Sequence, residues 1–144
     1  MLLVDTNVLV YAANIDSQFH EPCRDWLARQ RTRPDAWFTT WPILYEFLRV
    51  TTHPRVMRRP WTVAAAWQFV TALLASPGLG MLVQTQRHPE VAEAVLSELP
   101  HLSGNLIHDT HTAILMREHG VARICTRDTD FSRLPFLEVI DPVQ

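Results

Sequence analysis

The stretch Leu2-Leu-Val-Asp5-Thr-Asn7-Val-Leu9 is the most informative part of the sequence for the fold. Its first three residues are apolar without alternation, which is typical of a short strand covered on both faces, as in a parallel sheet. The next three, Asp5 to Asn7, offer side-chain oxygens that can cap a helix, and helical spacing follows over residues 8–13. This segment therefore predicts a strand that ends in an acid and leads directly into a helix.

Further strands and helices alternate along the rest of the chain. Apolar runs predict strands at 36–39, 80–84, 122–126 and 138–140, and helical spacing with proline or glycine at the ends predicts helices at 22–30, 41–51, 62–75, 89–99 and 106–119. No tight hairpin signal separates two strands, so the expected fold is α/β with a mainly parallel sheet. A chain of 144 residues is expected to form a single domain over residues 1–144.

The composition excludes several classes of function. Apolar residues make up 47% of the chain and the net charge is only −2, so a folded core is expected and bulk charge cannot hold a nucleic acid. All 13 basic residues are arginine, which excludes the P-loop and Schiff-base mechanisms because both require lysine. The four glycines lie too far apart for a G-x-G-x-x-G dinucleotide motif.

The cysteines and the apolar stretches bear on the expected location of the protein. Cys23 and Cys125 form no C-x-x-C motif and lie in apolar surroundings, which predicts buried, reduced thiols and a cytoplasmic protein. The N-terminus lacks the basic region of a signal peptide. The longest apolar stretch, 63–75, is shorter than the roughly 20 residues that span a bilayer, so no membrane segment is expected.

Four acids occupy positions where an α/β protein binds ligands. Asp5 and Asp128 follow predicted strands, Asp109 lies near the start of a helix, and Glu46 lies inside one. Ligands of parallel sheets collect outside the carboxyl ends of the strands. Each acid alone also has an ordinary structural explanation as a helix cap or a turn residue.

Helical periodicity points two of these acids inward. Glu46 shares one helical face with Ile43, Phe47 and Val50, which predicts a carboxylate directed toward the core. By the same spacing, Asp109 shares a face with apolar residues and is also directed inward. A buried carboxylate must be protonated or find a cation, and a bound cation would account for both acids.

The sequence resembles the PIN-domain ribonucleases, and within them the VapC toxins of bacterial toxin–antitoxin pairs. The resemblance covers nearly the whole chain. It rests on the opening stretch from Leu2 to Leu9, on Glu46 in an apolar helix, on His108-Asp-Thr-His111, and on Thr126-Arg-Asp128-Thr-Asp130-Phe131. Each motif alone is weak, and their order and spacing make the resemblance specific.

The resemblance implies a three-layer α/β/α fold, a function and a site. The implied function is a metal-dependent endoribonuclease that acts as a toxin and is neutralised by a VapB-type antitoxin. It assigns catalysis and metal binding to Asp5, Glu46, Asp109 and Asp128, with Asp130 as a further metal-site acid and Asn7 and Thr126 in supporting roles. Two alternatives stay open, namely a non-toxin RNA-processing nuclease of the same fold and an inactive RNA-binding module.

The residue types at the site indicate which metal it would hold. Hard carboxylate oxygens favour Mg²⁺ or Mn²⁺ over zinc. Such an ion can activate water for phosphodiester hydrolysis, so no serine or cysteine nucleophile is needed. His108, His111 and His119 share helical neighbourhoods and offer zinc as a weaker alternative.

Substrate and partner surfaces are predicted outside the acidic motifs. Four arginines cluster in the last turn of the Glu46 helix and in the segment after it, namely Arg49, Arg55, Arg58 and Arg59, with Trp61 beside them. The arginines could hold RNA phosphates while the Trp61 ring stacks on a base, or the segment could simply be a solvated loop. The helix predicted over 62–75 is apolar on nearly all sides, which predicts a homodimer because such a helix requires cover.

Overall fold

The central sheet has five strands that all run in the same direction. A computed structural model describes residues 1–144. The strands are β1 Leu3–Val4, β2 Trp37–Thr39, β3 Leu79–Met81, β4 Arg123–Cys125 and β5 Glu138–Ile140, in the spatial order β3-β2-β1-β4-β5. Every neighbouring pair is parallel. The predicted α/β fold with a parallel sheet is therefore confirmed.

Six α-helices flank the sheet. They are α1 Thr6–Ala13, α2 His20–Thr32, α3 Trp41–Thr51, α4 Val63–Leu74, α5 His88–Glu98 and α6 Leu106–Glu118, and a 3₁₀ helix follows at Thr129–Arg133. Side-chain caps begin α1, α3 and α4 at Asp5, Thr40 and Thr62, which explains why these starts could be read from the sequence. No side chain caps α2, which is longer than predicted at both ends.

The strand order places the helices in two layers. From β1 to β2 to β3 the chain moves across the sheet in one direction, and from β3 to β4 it moves back in the other. Because parallel crossovers are right-handed, connections that move in opposite directions lie on opposite faces of the sheet. Helices α1 to α4 therefore cover one face and α5 and α6 the other, which confirms the three-layer α/β/α fold. None of the six α-helices combines the length and the apolar composition that a membrane-spanning helix requires.

The main hydrophobic core has 25 buried residues and packs on both faces of the sheet, since it includes Phe47 of α3 and Met116 of α6. Phe47 of α3 is completely buried, stacks on Phe69 of α4 at 4.7 Å between ring centroids, and meets the edge of Trp61. Trp61 also contacts Phe69 edge to face, so its partly buried ring belongs to this aromatic cluster. Both cysteines are buried and free, which confirms the expectation of reduced, buried thiols.

Helix α4 is less uniformly covered than its sequence suggests. Ala66, Val70 and Leu73 form its buried face. At the edge of this face Val63 is 68% exposed and Trp67 is 43% exposed. The helix thus presents an apolar strip to the surface of the monomer.

Candidate active site

The site lies where the strand order reverses. The chain leaves β1 toward β2 on one side, and β4 pairs with β1 on the other. Crevices at such switch points, outside the carboxyl ends of the strands, are the usual binding sites of parallel sheets. Asp5 directly follows β1, and its backbone N–H donates to the carbonyl oxygen of Cys125 at 3.0 Å. This bond brings the segment that begins at Thr126 beside Asp5.

The hydroxyl of Thr126 connects the acids at the ends of β1 and β4. This completely buried side chain donates to Asp5 Oδ2 at 2.8 Å and accepts from the backbone N–H of Asp128 at 3.0 Å. It also accepts from Asn7 Nδ2 at 2.9 Å. The hydroxyl therefore uses its one donor and both acceptor positions.

Asn7 completes the same network. Its Nδ2 donates to Asp5 Oδ2 at 3.2 Å as well as to Thr126, and its Oδ1 accepts from the backbone N–H of Arg127 at 3.1 Å. The other oxygen of Asp5, Oδ1, caps α1 by accepting from the backbone N–H of Thr6 at 2.8 Å. The role of Asp5 as a helix cap is thus compatible with a role in the site, and Asn7 and Thr126 lie where supporting residues are predicted.

Three further acids meet in front of this network. Carboxylate oxygens of Asp109, Asp128 and Asp130 lie within 4.8 Å of one another. Asp109 comes from the first turn of α6, and Asp128 caps the 3₁₀ helix by accepting from the backbone N–H of Asp130 at 2.9 Å. Oxygen ligands at this spacing suit a hard divalent cation. Asp128 and Asp130 therefore both belong to the group of carboxylates around Asp109.

Burial and like charge raise the pKa of two of the acids. Burial is the main cause that raises the pKa of Asp5, and the charges of Asp128 and Glu46 raise it further. The pKa of Asp109 is raised to about 6, first by burial and then by the charges of Asp128, Asp5 and Asp130. A multivalent cation would relieve this repulsion, so the electrostatics and the spacing agree.

The prediction that Glu46 points toward the core is wrong. Its side chain is 45% exposed, and Arg49 on the next turn of α3 donates to both of its oxygens at 2.8 and 2.6 Å. The Arg49 hydrogen bond is the main cause that lowers the pKa of Glu46. Glu46 lies at the rim of the site, since its charge still raises the pKa of Asp5.

The arginine cluster divides into paired and unpaired members. Arg49 binds Glu46, and Arg59 forms an ion pair with Asp16 at 2.7 Å. Arg55 and Arg58 are exposed and form no ion pair. Of the four predicted RNA-binding arginines, these two therefore have their guanidinium groups free for phosphate.

The histidines near α6 do not join the carboxylate group. His111 meets His88 edge to face, with 5.9 Å between ring centroids, and His119 Nε2 lies 2.6 Å from the carbonyl oxygen of Val83. Because the gathered ligands are all carboxylates, the donor set fits Mg²⁺ or Mn²⁺ better than zinc.

One contact beside the site was missed from the sequence. The guanidinium of Arg127 lies over the ring of Phe19 and pairs with Asp141 near the end of the chain. Arg127 stands inside the motif between Thr126 and Asp128, and this position was the only signal available. Its partners are distant in sequence, so no local pattern reveals them.

Comparison with known proteins agrees with the fold. The family model of the PIN domain matches residues 2–137. Ribonuclease VapC37 of Mycobacterium tuberculosis is 35% identical over 133 residues, which cover 92% of this chain and 91% of that protein. The chain therefore belongs to the PIN-domain family and, within it, to the VapC ribonucleases.

Solved structures share the fold at low sequence identity. One is the crystal structure of VapC20 of Mycobacterium tuberculosis, a sarcin–ricin loop cleaving toxin, which superposes with a TM-score of 0.67. Another is the crystal structure of VapBC2 from Rickettsia felis bound to a DNA fragment from their promoter, which superposes with a TM-score of 0.64. Their sequence identities are 21% and 15%, and each superposition covers 96% of this chain and 98% and 96% of the solved chains, respectively.

The raised pKa of Asp109 predicts a specific pH dependence of stability without metal. A carboxyl whose pKa is higher in the folded state binds more protons there, so its contribution to stability is lost as pH rises from about 4 through about 6. Asp109→Asn removes this loss. In EDTA, we expect the melting temperature of the variant to exceed that of the parent at pH 8, and the difference to disappear toward pH 4. Differential scanning fluorimetry measures both.

Glu93→Gln, which removes an exposed carboxylate in the middle of α5, is the matched control and should show no such trend. A difference between Asp109→Asn and the parent that does not change with pH would contradict the electrostatic description of the site.

Proposed function

We propose that this protein is a metal-dependent endoribonuclease and the toxin of a toxin–antitoxin pair. The observation that carries the proposal is the group formed by Asp109, Asp128 and Asp130 beside Asp5, at the switch point of a VapC-type fold. The VapC37 relative is named a ribonuclease, and the VapC20 structure is that of a toxin that cleaves RNA at the sarcin–ricin loop. The repulsion between these carboxylates and their hard oxygen atoms support the binding of a divalent metal ion.

In this proposal the acids hold Mg²⁺ or Mn²⁺, with Asp5, Glu46, Asp109 and Asp128 as catalytic residues and Asp130 as an additional ligand. When bound, the ion would supply an activated water and stabilise charge on the phosphate oxygens. Thr126 and Asn7 orient the Asp5 carboxylate through the hydrogen bonds to its Oδ2. Glu46 would have to leave Arg49 to join the ligands, because its oxygens are occupied by that guanidinium.

The substrate is a polyanion that the acids alone would repel. Arg55 and Arg58, on the segment that follows α3, offer two unpaired positive charges for RNA phosphates. Arg49 and Arg59 contribute to RNA binding in this proposal only when they exchange their present carboxylate partners for phosphate.

The proposal includes two protein partners. VapBC2 was solved as a pair on promoter DNA, which supports a VapB-type antitoxin as the inhibitor of this chain. A second copy of the chain is the other partner, supported by the apolar strip on α4.

Loss of a single carboxylate should abolish cleavage without loss of the fold. Asp5→Asn and Asp109→Asn each remove one charge from the site, and we expect RNA cleavage to fall by about 100-fold or more, since loss of an outer-shell partner alone typically costs up to that much. Asp25→Asn, an exposed acid of α2 paired with Arg24, is the control and should cleave like the parent.

Direct attack by water should leave 5′-phosphate and 3′-hydroxyl ends in the same digest, and mapping of the new ends tests this. A cyclic phosphate would contradict the mechanism. Cleavage at the parental rate by Asp5→Asn or Asp109→Asn would contradict the assignment of the site, and a purified parent that binds RNA without cutting it would indicate a binding module.

The salt dependence of RNA binding tests the two unpaired arginines. The inactive Asp109→Asn protein serves as background for Arg55→Gln/Arg58→Gln. Loss of two phosphate contacts should weaken binding to single-stranded RNA and lower the slope of log affinity against log salt by roughly 1.4, at about 0.7 per contact. Arg29→Gln/Arg87→Gln removes two exposed arginines from other parts of the surface as a control. Equal slopes in the two double variants would show that RNA binds elsewhere.

The apolar strip on α4 predicts a homodimer. Light scattering at micromolar concentration should give about twice the 16.6 kDa chain mass. Trp67→Glu places a charge in the strip and should yield the monomer, because a buried unpaired charge opposes association. Ile15→Glu changes an equally apolar, 66% exposed residue on the loop between α1 and α2 and should leave the dimer intact. A monomeric parent would contradict the proposal.

A further inference from the structure

Arg127 is fixed by contacts on both its backbone and its side chain. Its backbone N–H donates to Asn7 Oδ1 at 3.1 Å. Its guanidinium carbon lies 3.7 Å from the centroid of the Phe19 ring, and Nε lies 3.3 Å from both carboxylate oxygens of Asp141. The guanidinium therefore ties the segment after β4 to the loop before α2 and to the segment after β5.

These contacts hold a residue whose two neighbours build the site. Thr126, on one side, provides the hydroxyl that binds Asp5 Oδ2. Asp128, on the other side, provides one carboxylate of the metal-binding group. A rotation of the backbone at position 127 would displace both of them, because consecutive residues share peptide planes.

The charge of Arg127 does not explain its place beside the acids. The pKa of Asp5 and of Asp109 is raised by burial and by other carboxylates, and Arg127 is not among the causes that act on either group. Its charge is instead balanced by Asp141, and its Nη1 is buried without a hydrogen-bond partner. The guanidinium is thus held by Phe19 and Asp141 and makes no ion pair with the acids of the site.

We propose that Arg127 is a positioning residue that sets the affinity of the site for its divalent cation by fixing Thr126 and Asp128. The inference rests on the proposed metal dependence, and it extends the site to Phe19 and Asp141. Outer-shell residues that orient metal ligands typically contribute 10- to 100-fold to affinity. We therefore expect loss of the Arg127 side chain to weaken metal binding within that range.

The chain contains a matched control for this contact. Arg117, in the last turn of α6, lies 4.0 Å from the centroid of the Phe136 ring and donates to both oxygens of Glu98 at 2.7 and 2.9 Å. The exposed fractions of the two arginine side chains are similar, at 24% for Arg127 and 29% for Arg117. The two residues thus make the same two kinds of contact, but only Arg127 adjoins residues of the site.

The experiment compares Arg127→Met with Arg117→Met in the full-length protein. Each protein is stripped with EDTA and titrated with Mn²⁺ or Mg²⁺, and the rise in melting temperature gives the apparent affinity without any RNA or turnover. Both variants should melt below the parent without metal. Arg127→Met should then need about 10-fold or more metal for half of the maximal shift, and Arg117→Met should titrate like the parent.

Two further variants keep the test decisive. Arg127→Lys retains the positive charge but lacks the planar guanidinium that stacks on Phe19 and pairs with Asp141 at the same time. It should therefore also bind metal more weakly than the parent. This variant replaces Arg127→Met if the methionine protein does not fold. Asp141→Asn leaves the arginine in place and removes only the ion pair, so its titration midpoint should lie between those of the parent and Arg127→Met.

The outcomes separate this inference from the proposed function. Equal titration midpoints for the Arg127 and Arg117 variants, with a parent that responds to metal, overturn the positioning role alone. A parent that shows no metal-dependent shift overturns both the inference and the proposed metal dependence. A midpoint at a higher metal concentration only in the Arg127 and Asp141 variants supports the inference, because a general loss of stability would affect the Arg127 and Arg117 variants alike.

Discussion

Repulsion between carboxylates is the constraint on which the rest of the site depends. Asp109, Asp128 and Asp130 lie within 4.8 Å of one another, and the charge of Asp5 acts on Asp109 as well. Groups of like charge at this distance destabilise one another unless a cation joins them or one takes up a proton. The fold must therefore supply the stability that the acids remove, and the parallel sheet with its core of 25 buried residues does so.

The acids are held in place by neutral polar groups whose hydrogen-bond donors are all used. Thr126 has one proton and two lone pairs, and each is used within the site. Asn7 uses both amide protons and its carbonyl oxygen in the same way. A network in which every donor is used favours one arrangement, so it can hold Asp5 and Asp128 in fixed positions before any cation arrives.

Glu46 shows where reasoning from a local pattern fails. Helical spacing correctly places it on the same side of α3 as buried residues, and α3 itself has the predicted bounds. The spacing cannot tell the centre of a buried face from its edge, and at the edge a long side chain can turn outward to a partner. Arg49, three residues later, is that partner and keeps the carboxylate half in solvent. The 3₁₀ helix after β4 was not predicted, and the Asp128 side chain caps its start.

The sequence by itself determined the order of strands and helices, the placement of acids after β1 and β4, and the resemblance to PIN-domain ribonucleases. These features depend on residues that are close together in the chain, where periodicity and caps act. Only the tertiary structure decided that Asp109 meets Asp128 and Asp130, that Arg127 pairs with Asp141, and that Arg49 is occupied by Glu46. The first two contacts depend on the order β3-β2-β1-β4-β5, and the third depends on how far α3 is covered by its neighbours. Packing of the whole chain sets both conditions, and neither can be read from a local stretch of sequence.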